Sequence, residues 1–118
     1  MVIVDMLTKF IQNFLNKNIG EVEDKNLLLI LPNKKRIELG NHQASIEITF
    51  HSWLGIWIIF RRGALGLTEG YIHNYWETKD LIELMDYLPK NLQAFSKVSN
   101  GMFSLKIFAK INHFLNKN

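Results

Sequence analysis

Gly63-Ala64-Leu65-Gly66-Leu67-Thr68-Glu69-Gly70-Tyr71-Ile72-His73-Asn74-Tyr75-Trp76-Glu77-Thr78-Lys79-Asp80 is the stretch on which the reading of this chain turns. It gathers Gly63, Gly66 and Gly70 with Tyr71, Tyr75 and Trp76 inside fourteen residues. Glycine is selected where φ is positive or where backbone must approach closely. The cluster therefore reads as a tight connection packed under large rings, with Glu69–Trp76 alternating loosely enough to form a strand.

Immediately upstream lies the most apolar run in the chain, Trp53–Phe60, closed by Arg61-Arg62. It can be read in two ways. As a helix, Trp53, Trp57 and Phe60 share one face, Ile56 and Ile59 fill the flank, and Ser52 is placed to cap the N-terminus. As a strand, it would be buried on both sides. Immediately downstream, Thr78 with Lys79-Asp80 starts a helix. Its apolar positions are Leu81, Ile82, Leu84, Met85 and Leu88, and Pro89 should stop it.

Further out the signals are plainer. Leu27–Leu31 is a short, fully apolar strand ended by the turn dipeptide Pro32-Asn33. Lys35–Leu39 alternates charged and apolar residues and should return as a hairpin to Gly40-Asn41. Ala44–Phe50 alternates cleanly, with Ala44, Ile46, Ile48 and Phe50 on one face. Short loops between the three strands favour antiparallel pairing. At the N-terminus Ile3, Leu7, Phe10, Ile11, Phe14 and Leu15 recur at helical spacing, giving an amphipathic helix over 3–18 with Gly20 available as a C-terminal cap. Asn91–Val98 and Met102–Leu115 read as two more helices, broken at Asn100-Gly101. The expected fold is α+β, a small antiparallel sheet with helices packed over it. It forms one domain over 1–118, with the N-terminal helix at 3–18, a sheet-and-helix core at 27–88 and C-terminal helices at 91–117.

Composition bounds what such a domain can do. The chain has 118 residues, 47% hydrophobic and 21% charged, enough for a single core that buries about two-thirds of the unfolded surface. With no cysteine, disulfides, thiolate metal sites and thiol nucleophiles are excluded; the absence fits a cytosolic protein. Asp5 interrupts the N-terminal apolar stretch, which argues against a secretory signal. Trp53–Phe60 falls far short of the roughly 20 residues a membrane span requires. Charge is unevenly placed. Met1–Asp86 carries nine Lys/Arg against eleven Asp/Glu, whereas Tyr87–Asn118 carries five lysines and no acid. That asymmetry reads either as an ordinary solvated face or as a surface aimed at something anionic.

No catalytic constellation stands out. His42, His51, His73 and His113 have no metal-ligand spacing, and no nucleophile elbow is present. The three glycines follow two arginines with the wrong spacing for a dinucleotide fingerprint. Glu69 is the most plausible buried acid, suited to hydrogen-bonding backbone amides in the glycine turn. What remains are surfaces. Trp53, Trp57 and Phe60 followed by Arg61 and Arg62 make an aromatic face with a cationic end, as at bilayer interfaces, and Lys106 and Lys110 could act alongside. The alternative is that both tryptophans are core. Nucleic acid is not an expected partner, because the aromatic strand segments carry Glu69 and Glu77.

The same residues carry a family resemblance. Gly63-Ala64-Leu65-Gly66-Leu67-Thr68-Glu69-Gly70-Tyr71, then Trp76, then Asp80-Leu81, resembles the N-terminal domain of cyclopropane-fatty-acyl-phospholipid synthases and mycolic acid cyclopropane synthases. That family typically reads Gly-x-Leu-Gly-Leu-Gly-Glu-Ala-Tyr, then x-x-Gly-x-Trp, then Asp-Leu opening a helix. Leu31-Pro32 and Gly40 extend the likeness, so that it covers roughly Leu27 to Asn91. Thr68, Gly70 and Asn74 depart from the pattern; Asn74 is a mild change, since Asn tolerates left-handed φ.

The resemblance implies a helix at Trp53–Arg62 and a sterol-carrier-like lipid-binding fold. It implies structural roles for Gly63, Leu65, Gly66, Glu69, Tyr71 and Trp76. In the family this domain precedes an S-adenosylmethionine-dependent methyltransferase that adds a methylene across an acyl-chain double bond. Asn118 falls near the start of the linker to that catalytic domain, so no catalytic or cofactor residue carries over. The expected role is a non-catalytic module that engages anionic phospholipid, in the cytoplasm and at the inner membrane face, and serves a methyltransferase in cis or in trans. The alternative is a docking module for a separate methyltransferase, without lipid contact of its own.

Overall fold

Asn26–Ile30, the first strand (β1), is apolar at every position after Asn26, and Leu27, Leu28 and Leu29 are all buried. A strand buried on both faces belongs at the centre of a sheet, and the topology follows from that. The computed structural model describes residues 2–99. In it β2 (Arg36–Leu39) pairs antiparallel with β1, matching Leu29 to Ile37 and Leu27 to Leu39. The next strand, β3 (Ser45–Phe50), pairs with the other side of β1 in parallel, matching Leu27 to Ile46 and Leu29 to Ile48. A two-residue strand, β4 (Trp76–Glu77), closes the sheet antiparallel to β3. The order is β2-β1-β3-β4, so the sheet is mixed, not antiparallel throughout.

Had β3 paired with β2, the apolar β1 would be an edge strand with one row of backbone N–H and C=O groups unpaired. The charged alternation of β2, with Arg36 and Glu38 exposed, makes it the better edge. A short loop does make β2 and β3 antiparallel in direction, as expected, but it carries the chain past the start of β1. The crossing is held by Asn26, only 4% exposed. Its amide accepts from the His42 backbone N–H at 2.8 Å and donates to the His42 carbonyl at 3.0 Å and to Glu38 Oε2 at 2.9 Å. Ser45 Oγ donates to the same carboxylate oxygen at 2.6 Å. These two donors, Ser45 first, hold the Glu38 carboxyl below its usual range.

Helices cover the sheet. The N-terminal α1 (Val2–Asn18) lays Ile11 and Leu15 into the core. It does not end on a left-handed glycine. Gly20 instead donates its N–H to the Ala94 carbonyl at 2.9 Å and lies close against that residue. The next helix, α2 (Trp53–Arg62), has Ser52 as its N-cap, with Oγ accepting from the Leu54 N–H at 3.1 Å; the helical reading of the apolar run is the right one. After a single linking residue, α3 (Ala64–Ile72) follows. The glycine-and-ring stretch is therefore mostly helix, and the strand expected over Glu69–Trp76 shrinks to the two residues of β4.

Past β4, α4 (Leu81–Lys90) is capped by Asp80, whose carboxylate accepts from the Glu83 N–H at 3.0 Å. Thr78, with which the helix was expected to start, lies outside it and donates to the Glu47 carbonyl at 2.7 Å. Pro89 lies inside the last turn of α4 and does not end it; so near the C-terminus the missing N–H disturbs little of the helix beyond it. Residues 91–95 are turns, and the helix expected over Asn91–Val98 is reduced to α5 (Ser96–Ser99). The helix expected at Met102–Leu115, with Lys106 and Lys110, lies outside the described residues. Tyr87, 2% exposed, ties α4 to the strand entrance by donating its hydroxyl to the Lys25 carbonyl at 2.6 Å.

Candidate functional site

The α2–α3 hairpin gathers the sequence features of interest, and one glycine makes it possible. Gly63 has φ 62° and ψ −132°, a backbone conformation that residues with a Cβ rarely adopt. Its N–H closes α2 on the Ile59 carbonyl at 2.7 Å, and its carbonyl accepts from the Leu67 N–H at 3.0 Å to open α3. Gly66 lets the two helices touch, because a Cβ there would overlap the Ile58 carbonyl. Trp76 then locks α3 to the sheet. Its indole N–H donates to the Leu67 carbonyl at 2.8 Å, and its ring lies 5.1 Å from that of Tyr71. Gly63, Gly66 and Trp76 thus hold the hairpin's backbone in place.

Helical periodicity divides α2 differently from the expected single aromatic face. Trp53, Ile59 and Phe60 pack against the core, and the Phe60 ring meets Phe14 edge-on at 5.1 Å. Trp57 and Ile58 are half-buried, and Leu54 and Arg61 on the same helix are exposed. Leu54 is 57% exposed, and on α3 Leu65 is 54% and Ile72 68% exposed. Arg61 and Arg62 close this outer surface. The structure therefore takes Trp53 and Phe60 inward and turns Arg62 toward Glu69 of α3. Leu54 and Ile58, absent from the expected set, were detectable as an i, i+4 apolar pair opposite Gly55, Ile56 and Ile59.

Glu69 is half-buried on α3 and forms an ion pair with Arg62; it does not cap backbone amides of a glycine turn. The histidines within the described residues have ordinary partners. His42 meets the Val22 carbonyl at 2.8 Å, His51 lies 3.3 Å from Glu77, and His73 stacks on Tyr75. Among the described residues no group of three or more His, Asp or Glu side chains is arranged to hold a metal ion. None of their helices is long and apolar enough to cross a membrane.

The inner side of the hairpin is a second feature. Between it, α1, the sheet and the stretch after α4 lies a groove of about 310 Å³, and none of the described residues that line it has a charged or hydrogen-bonding side chain. Ile59, Phe60 and Leu67 form its hairpin wall, Leu29 and Phe50 its sheet floor. What the described lining can do is bury apolar surface. No protein-family model, curated protein or solved structure matches the chain.

Proposed function

We propose that this chain is a non-catalytic module that engages the surface of anionic phospholipid membranes through the outer side of the α2–α3 hairpin. The observation that carries the reading is the stripe of Leu54, Trp57, Ile58 and Leu65 ending in Arg61 and Arg62. An amphipathic surface of this kind rests at the headgroup boundary, with apolar side chains inserted and its basic end near the phosphates. Each basic residue close to an anionic leaflet adds about 1 kcal/mol. The likeness of Gly63–Asp80 to cyclopropane-fatty-acyl-phospholipid synthases supports the same assignment. With it come a sterol-carrier-like ancestry for the fold, a cytoplasmic location at the inner membrane face, and a role presenting unsaturated phospholipid. The proposed partner is a methyltransferase unit in cis or in trans, which would supply the S-adenosylmethionine chemistry.

Flotation with vesicles of phosphatidylcholine alone or mixed with phosphatidylglycerol tests the proposal. The protein should float with the anionic vesicles at low salt, release as salt is raised, and lose binding in Leu54→Asp and Ile58→Asp while keeping its circular dichroism. Failure to float with either vesicle would contradict it. It would leave the outer stripe to the docking alternative, in which the same apolar side chains meet a protein.

A further inference from the structure

Along α2 and α3 the sequence holds two cations, Arg61 and Arg62, and a single acid, Glu69. That acid sits within the surface assigned to the membrane. Leu65, Glu69 and Ile72 recur at i, i+4 and i+7, one face of α3, and both apolar neighbours are exposed. A carboxylate between them opposes membrane contact twice, through its own desolvation and through repulsion from anionic headgroups. Its ion-pair partner across the hairpin is Arg62, in the last turn of α2.

The pair is built to be exchanged. The Arg62 side chain is 46% exposed and that of Glu69 28%, and so solvated a pair favours its closed form by about fivefold at most. A guanidinium offers a phosphate the same parallel N–H donors that it offers a carboxylate. We propose that Glu69 competes with lipid phosphate for Arg62 and thereby sets the anionic lipid content at which the hairpin binds. This competition presupposes the membrane contact proposed above and adds what regulates it. On a leaflet with few anionic lipids Arg62 stays with Glu69. Where anionic lipids are dense, the local concentration of phosphate draws the guanidinium away, and the hairpin gains a second lipid-directed cation.

Flotation across vesicles of rising phosphatidylglycerol fraction in phosphatidylcholine tests this in the full chain. The variants are Glu69→Gln, Arg62→Gln and the two combined, each with native circular dichroism. Glu77→Gln, which removes the same charge from β4, is the control. Glu69→Gln should half-bind at a lower phosphatidylglycerol fraction and bind about two- to fivefold more tightly at a fixed one. The control should stay close to the native curve. Arg62→Gln should weaken binding more in the Glu69→Gln background than in the native chain, because only there is the guanidinium released from its internal partner. A Glu69→Gln curve that overlies the native one, a shift matched by Glu77→Gln, or equal costs of Arg62→Gln in the two backgrounds would overturn the competition alone. Failure of every variant to float would overturn it together with the membrane contact on which it rests.

Discussion

Gly66 is the residue at which the fold tolerates least. The added methyl of Gly66→Ala meets the backbone carbonyl of Ile58, which cannot rotate away as a side-chain end could. The two helices must then separate, and overpacking of this kind costs about 1–3 kcal/mol or more. Denaturant unfolding of Gly66→Ala should show that loss as a lower midpoint, and an unchanged midpoint would mean that the helices do not touch there. Tyr87 makes a different prediction, one of pH. Burial first, and the charge of Asp24 second, push its hydroxyl up to about 12, against about 10 in an unfolded chain. The native state therefore keeps the proton that the unfolded state releases. The contribution is whole below pH 10 and disappears as pH rises toward 12. The amine of Lys25, raised by its hydrogen bond to Glu83, works in the same direction. Tyr87→Phe should unfold at a lower denaturant concentration at neutral pH, by about 1 kcal/mol for the lost hydrogen bond. It should also flatten the decline between pH 10 and 12.

At the scale of elements, the hairpin shows what local signals contain and what they omit. Ser52 as a cap and the Trp53–Phe60 periodicity favoured α2 but left a doubly buried strand open. The helix α3 was hidden because Gly66 and Gly70 lower intrinsic helix propensity by about 1 kcal/mol each. Their reason for being glycine is tertiary: Gly66 admits α2, and Gly70 admits the Trp76 indole. For the same reason the aromatic face was drawn too simply. Spacing alone puts Trp53, Trp57 and Phe60 together, but contact with Phe14 and the core draws two of them inward. The Arg62–Glu69 pair bridges the two helices on a partly solvated surface, where such pairs contribute little. Glu69→Gln should therefore lower stability by less than about 1 kcal/mol and leave the far-ultraviolet spectrum unchanged. A collapse of the fold would mean that Glu69 is a buried structural acid after all.

For the molecule as a whole, the α+β class and the first three strands could be read directly from alternation and turn residues. Strand order could not. Whether Ser45–Phe50 joins β2 or β1 depends on which strand is left as the edge, and that is a property of the assembled sheet. The groove escaped notice for a similar reason, since seven elements each contribute only ordinary core residues to it. Assembly also sets apart the two sides of the hairpin. One faces the groove, and the other carries Leu54, Trp57, Ile58 and Arg61, where membrane contact is proposed. Trp57 makes that contact directly measurable, because Trp76 is only 2% exposed and Trp53 packs inward. With anionic vesicles carrying brominated acyl chains, tryptophan emission should be quenched in the native protein. In a Trp57→Phe variant that still floats with the vesicles, the quenching should largely vanish. Equal quenching in the two proteins, or none in a folded protein mixed with vesicles at low salt, would contradict membrane engagement through this face.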